Sequence, residues 1–278
     1  MIRKRYLSAG QKQIHARESG WDAGGVPLVC LHATAYSSRS FEPLMRAFGN
    51  SRHVLAIDLP GYGDSDPPTV EPDISCYARM IGEVLEGATV DLFGYHTGVA
   101  IAAELALLMP RRVGQLTFMG IPHFRALDFE QWKARLGTQH RLEPTLDQFA
   151  ERWDYLVANR PEGLSLQRGF ENFVDELKAW PDGGRAHLAL FAYNLEENLG
   201  QLTQPVTVIN PAGHLAGASR IAAGLIPRAC LIELPELSGA VLESDAATIA
   251  ALIPSAAESA HSRNTADRVL ADRPIRAG

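Results

Sequence analysis

Four histidines follow closely on apolar, β-like runs: His32 after Pro27–Leu31, His96 after Val90–Phe93, His123 after Gln115–Met119 and His214 after Val206–Ile209. An imidazole has an unperturbed pKa of about 6.5, so near neutrality it accepts or donates a proton without extensive tuning. If the runs are neighbouring strands of a parallel sheet, their ends share one edge and the histidines gather there. Zinc also favours imidazole, but no close pair such as H-x-x-x-H occurs. Acid–base work on a small molecule, with no metal and no cofactor, is the chemistry these residue types offer.

The elements that must position them recur at a regular beat. Ile14–Glu18 pairs with Arg5–Ser8 as an N-terminal hairpin, and the four runs above are joined by Val54–Ile57 and Cys230–Leu234. Helical patterns alternate with them at Ser40–Phe48, Ile74–Leu85, Thr97–Met109, Arg220–Leu225 and Ala246–Leu252. In the third, Val99, Ala102, Ala103, Ala106 and Leu107 keep helical spacing until Pro110 stops it. Strand alternating with helix predicts an α/β fold with a doubly wound, mostly parallel sheet and right-handed crossovers.

One interval breaks the beat. Residues 122–203 are helical and aromatic, with Trp132, Trp153, Tyr155, Phe170, Phe173, Trp180, Phe191 and Tyr193. Some 80 residues between neighbouring strands are too many for a loop, which predicts an inserted helical cap. The expected domains are a core of residues 1–121 and 204–254, a cap of 122–203 and a polar tail of 255–278. Most cap aromatics are expected to hold the cap together, while a few line an apolar pocket at the carboxyl edge of the sheet. The expected walls are Tyr36, His123, Trp132, Trp153, Tyr193 and Leu215, with His96 on the floor. His123 is either such a wall residue or a buried hydrogen-bonding one.

The chain's 278 residues, 46% of them hydrophobic, suffice for a large core. A net charge of -6 speaks against nucleic acid or anionic lipid as partners. The partner expected is a small-molecule substrate, and the protein is a monomer or homodimer. No apolar stretch follows the basic residues of Met1–Ser8, and no run reaches the roughly 18 apolar residues of a membrane helix, so neither signal peptide nor span is expected. Cys30, Cys76 and Cys230 are odd in number and lack C-x-x-C spacing. Cys30 and Cys230 are read as buried reduced thiols, which points to the cytoplasm.

Three stretches carry a family resemblance: Pro27-Leu-Val-Cys-Leu-His32-Ala33-Thr34, Asp58-Leu-Pro-Gly-Tyr-Gly-Asp-Ser65 and Val90-Asp-Leu-Phe-Gly94-Tyr-His96-Thr-Gly98. With the element order, they resemble the α/β-hydrolase superfamily, in its epoxide-hydrolase and C–C-hydrolase-like branch, over about residues 5–253. The resemblance implies a Ser-His-Asp triad, and the chain departs from it at each slot. The elbow pattern G-x-S-x-G carries His96 at its centre. The carboxylate slot falls in Asn210-Pro-Ala-Gly213-His214, on His214 or Gly213. The loop that should hold the histidine reads Pro235-Glu-Leu-Ser-Gly-Ala240, with Gly239 or Ser238 in the slot. His261 lies too far into the tail to replace it.

The resemblance also gives His32 a structural loop role and makes the amides of Thr34 and Thr97 an oxyanion hole. His96 is then the acid or base on a carbonyl-containing substrate, titrating within a unit or two of pH 6.5 and lower if the site is dry. It activates water, moves a proton in an elimination or rearrangement, or attacks directly. His214 orients it or shares its proton, and Glu236 or Glu243 is a possible carboxylate. Ser37, Ser38 and Ser65 match turn and helix-start positions rather than a nucleophile. Three alternatives stand beside this: a catalytically inactive small-molecule-binding protein, a metal such as zinc held by the histidines at the sheet edge, and His96 as a residue that merely fills the turn.

Overall fold

The computed structural model describes residues 1–85, 87–124, 129–136 and 144–255. Within them eight strands form one sheet: β1 (Ile2–Ala9), β2 (Lys12–Ser19), β3 (Leu28–Leu31), β4 (Val54–Ile57), β5 (Val90–Tyr95), β6 (Val113–Met119), β7 (Val206–Pro211) and β8 (Ala229–Leu234). The helices are α1 (Glu42–Phe48), α2 (Ile74–Val84), α3 (Thr97–Leu108), α4 (Phe129–Leu136), α5 (Asp147–Trp153), α6 (Leu166–Ala179), α7 (Arg185–Ala192), α8 (Leu195–Gly200), α9 (Ala216–Ala223), α10 (Val241–Ser244) and α11 (Ala246–Leu252). Strand order is β1-β2-β4-β3-β5-β6-β7-β8. The β1–β2 and β2–β4 pairings are antiparallel, and all pairings from β4 to β8 are parallel.

The apolar runs are continuous because both faces of the sheet are covered. In β3, Val29 and Leu31 face one core with α2 and α3, while Leu28 and Cys30 face the other with Leu44 and Met45 of α1 and Ile249 of α11. Helix α3 is buried nearly all round, through Val99, Ala100, Ile101, Ala102, Ala103, Leu105 and Ala106. Its alanines let it lie close against the strands. The buried Asp91 of β5 is held by Arg52 Nη2 at 2.5 Å and accepts the Gln115 amide at 2.8 Å.

The chain leaves β3 outward to β4, then returns to the opposite side of β3 as β5. The carboxyl ends of β3 and β5, paired Leu31 to Gly94, therefore form the crevice of a topological switch point. Helices α4 to α8 occupy the interval between β6 and β7. Part of that interval has its own small core of Leu156, Val157 and Phe173, against which Tyr36 and Phe149 pack.

Among the described residues no helix is long and apolar enough to cross a membrane. Cys30 is buried as expected, but Cys230 is exposed, which corrects that reading. It stands on β8, the last strand of the sheet, where the described residues cover the outer face incompletely. The tail beyond Ser255, with His261, lies outside the described residues.

Candidate active site

His96 occupies the turn between β5 and α3, with φ 51° and ψ −116°. It is the one non-glycine residue with positive φ among the described residues. Such a conformation costs on the order of 1–3 kcal/mol and persists only where its surroundings fix it. Two glycines do so. A Cβ on Gly98 would lie 2.1 Å from the Leu31 carbonyl oxygen, so only glycine lets α3 start this close to β3. A Cβ on Gly120, itself at φ +69°, would lie 2.5 Å from His96 Cδ2, so the imidazole rests directly on the end of β6. The His96 amide donates to Met119 O at 3.0 Å, closing the turn onto the same strand.

Thr34, in the loop after β3, and Thr97, first residue of α3, face each other here. Thr34 Oγ1 donates to Thr97 Oγ1 at 2.8 Å. Among the described residues neither main-chain N–H has a protein acceptor. The Thr97 amide also lies at a helix N-terminus, where the macrodipole favours negative charge. This arrangement can hold an oxygen anion.

His214, on the exposed loop after β7, stands edge-on to His96 with ring centroids 5.9 Å apart. Tyr95 packs on the other side at 4.3 Å. Burial pushes the His96 imidazole down to about 3, and the nearby His214 and His187 reinforce the shift. His96 is therefore neutral across the physiological range. This corrects the expected titration near 6.5: the site is not merely dry but bordered by two further imidazoles.

His187, on α7, was not singled out from the sequence. Burial, then the charge of Arg152, pushes it down to about 4. Arg152, from α5, binds Glu176 of α6 at 2.7 and 2.5 Å and stacks over the Tyr155 ring at 5.0 Å. Burial raises the Tyr36 phenol, and raises that of Tyr95 to about 12, with Tyr155 contributing to both. The helices between β6 and β7 thus bring an Arg–Glu pair, a histidine and a tyrosine toward the turn. They carry no motif, and only helix-face assignments would have found them.

One cleft among the described residues takes in part of the expected wall. A cleft of about 210 Å³ is lined by Pro122 to Phe124 and by side chains between Phe191 and Glu196. His123 and Tyr193 line it, but Tyr36, Trp153, Leu215 and His96 do not. Tyr36 instead joins the Leu156 cluster. Trp153 is 42% exposed, its ring against Phe173 and Phe170. Leu215 is buried beside His214. The Trp132 side chain lies outside the described residues.

Other candidates are committed elsewhere. His32 donates from Nδ1 to Ala33 O at 2.8 Å and accepts the Leu59 amide on Nε2 at 2.9 Å, tying the β3 loop to the β4 loop. Asp58, despite its burial, is held well below the usual carboxylate range by His15 and the Ser38 amide, at 2.7 Å each. Ser37 Oγ donates to Asp175, Ser38 Oγ accepts from Arg17, and Ser65 Oγ donates to Asp58 O. Glu243 is bound to Arg168 at 2.5 Å. Glu236 is exposed. Gly239 lies against the main chain of Glu162, which brings the last loop under the residues between β6 and β7.

Comparison with known proteins is consistent with this arrangement. A 2-hydroxy-6-oxononadienedioate/2-hydroxy-6-oxononatrienedioate hydrolase from Cupriavidus pinatubonensis is 34% identical over 122 residues, 39% of each chain. Epoxide hydrolase 4 of Mus musculus is 23% identical over 222 residues, 77% of this chain and 56% of that protein. A pimeloyl-[acyl-carrier protein] methyl ester esterase of Shewanella woodyi is matched over 41% of its length at 33% identity. The chain therefore spans about two fifths or less of the first relatives it matches. Among solved structures, a putative lipase from Acinetobacter baumannii superposes with a TM-score of 0.74 at 13% identity, covering 95% of this chain and 93% of that one. An epoxide hydrolase from Vigna radiata gives 0.71 at 16%, covering 91% and 96%. The three relatives just described are hydrolases, and the alpha/beta hydrolase fold family model matches residues 26–209; the chain belongs to that family.

Proposed function

We propose that this chain is an alpha/beta hydrolase-family enzyme that works without a serine nucleophile, using His96 as acid and base on a small carbonyl-containing substrate. The observation that carries the reading is a neutral imidazole fixed at the β5–α3 turn beside the Thr34 and Thr97 amides. The substrate carbonyl oxygen accepts from those two amides. An imidazole held near 3 is a weak base on its own. As negative charge grows on the oxygen, it favours the imidazolium and raises the affinity of His96 for a proton. Base strength thus rises along the reaction and falls again when the proton is returned. Water activation, elimination and rearrangement all fit this sequence. His214, edge-on to the His96 ring, orients it, and the free thiols are in keeping with a cytoplasmic setting.

A second reading is a binding protein with no turnover. It is favoured by the loop Pro235–Ala240, which has no histidine. The deciding experiment is turnover of esters, lactones, epoxides and β-diketones by the native protein and by His96→Asn, which tolerates positive φ. The expected loss is about 10²- to 10⁴-fold with the fold intact. Full activity in folded His96→Asn removes the mechanism, and no turnover in either protein favours the binding reading.

A further inference from the structure

His123 is 5% exposed, and among the described residues neither ring nitrogen has a hydrogen-bond partner. A buried polar group without a partner costs on the order of 1–3 kcal/mol, so one that persists calls for an explanation. His123 lines the cleft where the chain enters and leaves the helical interval between β6 and β7. Across it, Glu196 Oε2 lies 3.9 Å from His123 Nε2, too far for a direct hydrogen bond. One oxygen at about 2.8 Å from both atoms closes that gap as the apex of a triangle. Such an oxygen must accept from the imidazole N–H and donate to the carboxylate, which a hydroxyl does and a carboxylate ligand does not.

Three of the remaining wall residues are aromatic, beside Pro122, Asn194 and Leu195. Phe124 and Phe191 pack with centroids 4.7 Å apart and their rings tilted by 54°, and Tyr193 offers its ring because its hydroxyl already donates to Glu104 at 2.8 Å. The Glu196 side chain is one-third exposed, so the cleft opens to solvent on that side.

The geometry points to a second small-molecule site, distinct from the His96 turn, in which His123 and Glu196 share the hydroxyl of a phenol-like ligand whose ring lies against Phe124, Phe191 and Tyr193. It stands independently of the chemistry assigned to His96.

The test is calorimetric titration of the full chain with phenol and with toluene, which keeps the ring and lacks the hydroxyl. Phenol is expected to bind native protein at least about tenfold tighter than toluene, as one hydrogen bond to a charged group provides. His123→Leu is expected to abolish that preference and leave toluene binding unchanged. It should melt no lower than native protein, because an apolar side chain replaces an unpartnered imidazole. Should His123→Leu not fold, phenol must still shift the His123 ring resonances of native protein. His96→Asn is expected to bind phenol normally. Equal affinity for phenol and toluene, unchanged phenol binding in folded His123→Leu, unshifted His123 resonances, or loss of phenol binding in His96→Asn each overturn the proposal.

Discussion

Acidification should expose the unusual state of His96. Above pH 6.5 the imidazole is neutral in folded and unfolded chains alike. Below it, the unfolded chain takes up a proton while the folded one stays neutral until about pH 3. Stability contributed at neutral pH is therefore lost as pH falls from 6.5 to 3. At pH 5 the unfolded chain is about 1.5 pH units below its own pKa, which amounts to about 2 kcal/mol of linkage from this residue. The His96→Asn protein lacks it, whereas carboxylates and the other histidines titrate alike in both and cancel. Urea unfolding of both proteins at pH 7 and pH 5 measures the difference. The native protein should lose about 2 kcal/mol more than the variant between the two conditions. Parallel losses would refute the assignment, as would an NMR titration placing His96 near pH 6.5.

Three further outcomes follow from the geometry. Gly120→Ala puts a methyl group into the His96 ring at a positive-φ position, so it should cost about 2–4 kcal/mol in denaturant unfolding and reduce any turnover more than substrate affinity. Arg52→Leu leaves Asp91 charged and buried in β5, and should cost about 3–5 kcal/mol in thermal or chemical unfolding. A fluorophosphonate probe should label none of Ser37, Ser38 and Ser65, whose hydroxyls are already bonded; stoichiometric labelling found by peptide mapping would contradict that.

The core was legible because its signal is short-range. Val54–Ile57 and Ala246–Leu252 have the bounds that apolar patterning gives, and β5 runs only two residues past Phe93. The turn at His96 was legible through its flanking glycines, whose need is set by approach distances to Leu31 and Val99. What surrounds the turn was not. Which ring of α5 or α7 turns inward depends on how those helices dock, so Trp153 was expected in the pocket and His187 was not singled out. The low pKa of His96 was hidden for the same reason, since it arises from burial and two imidazoles distant in sequence. Cys230 shows the converse error: an apolar run marks a strand, but not whether the strand is covered.

The close seat of Gly98 on Leu31 has a kinetic consequence. The turn, the Thr97 amide and the sheet centre are locked into one piece that opens only with global unfolding, whereas the interval between β6 and β7 leaves Trp153, Tyr155 and Phe170 in solvent around a small core. In native-state hydrogen exchange, amides of β3, β5 and α3 belong to the slowest class, and those of α5 and α6 to a faster one. Arg152 and Glu176, on α5 and α6, can thus shift on a timescale of their own, while the Thr34 and Thr97 amides keep their places.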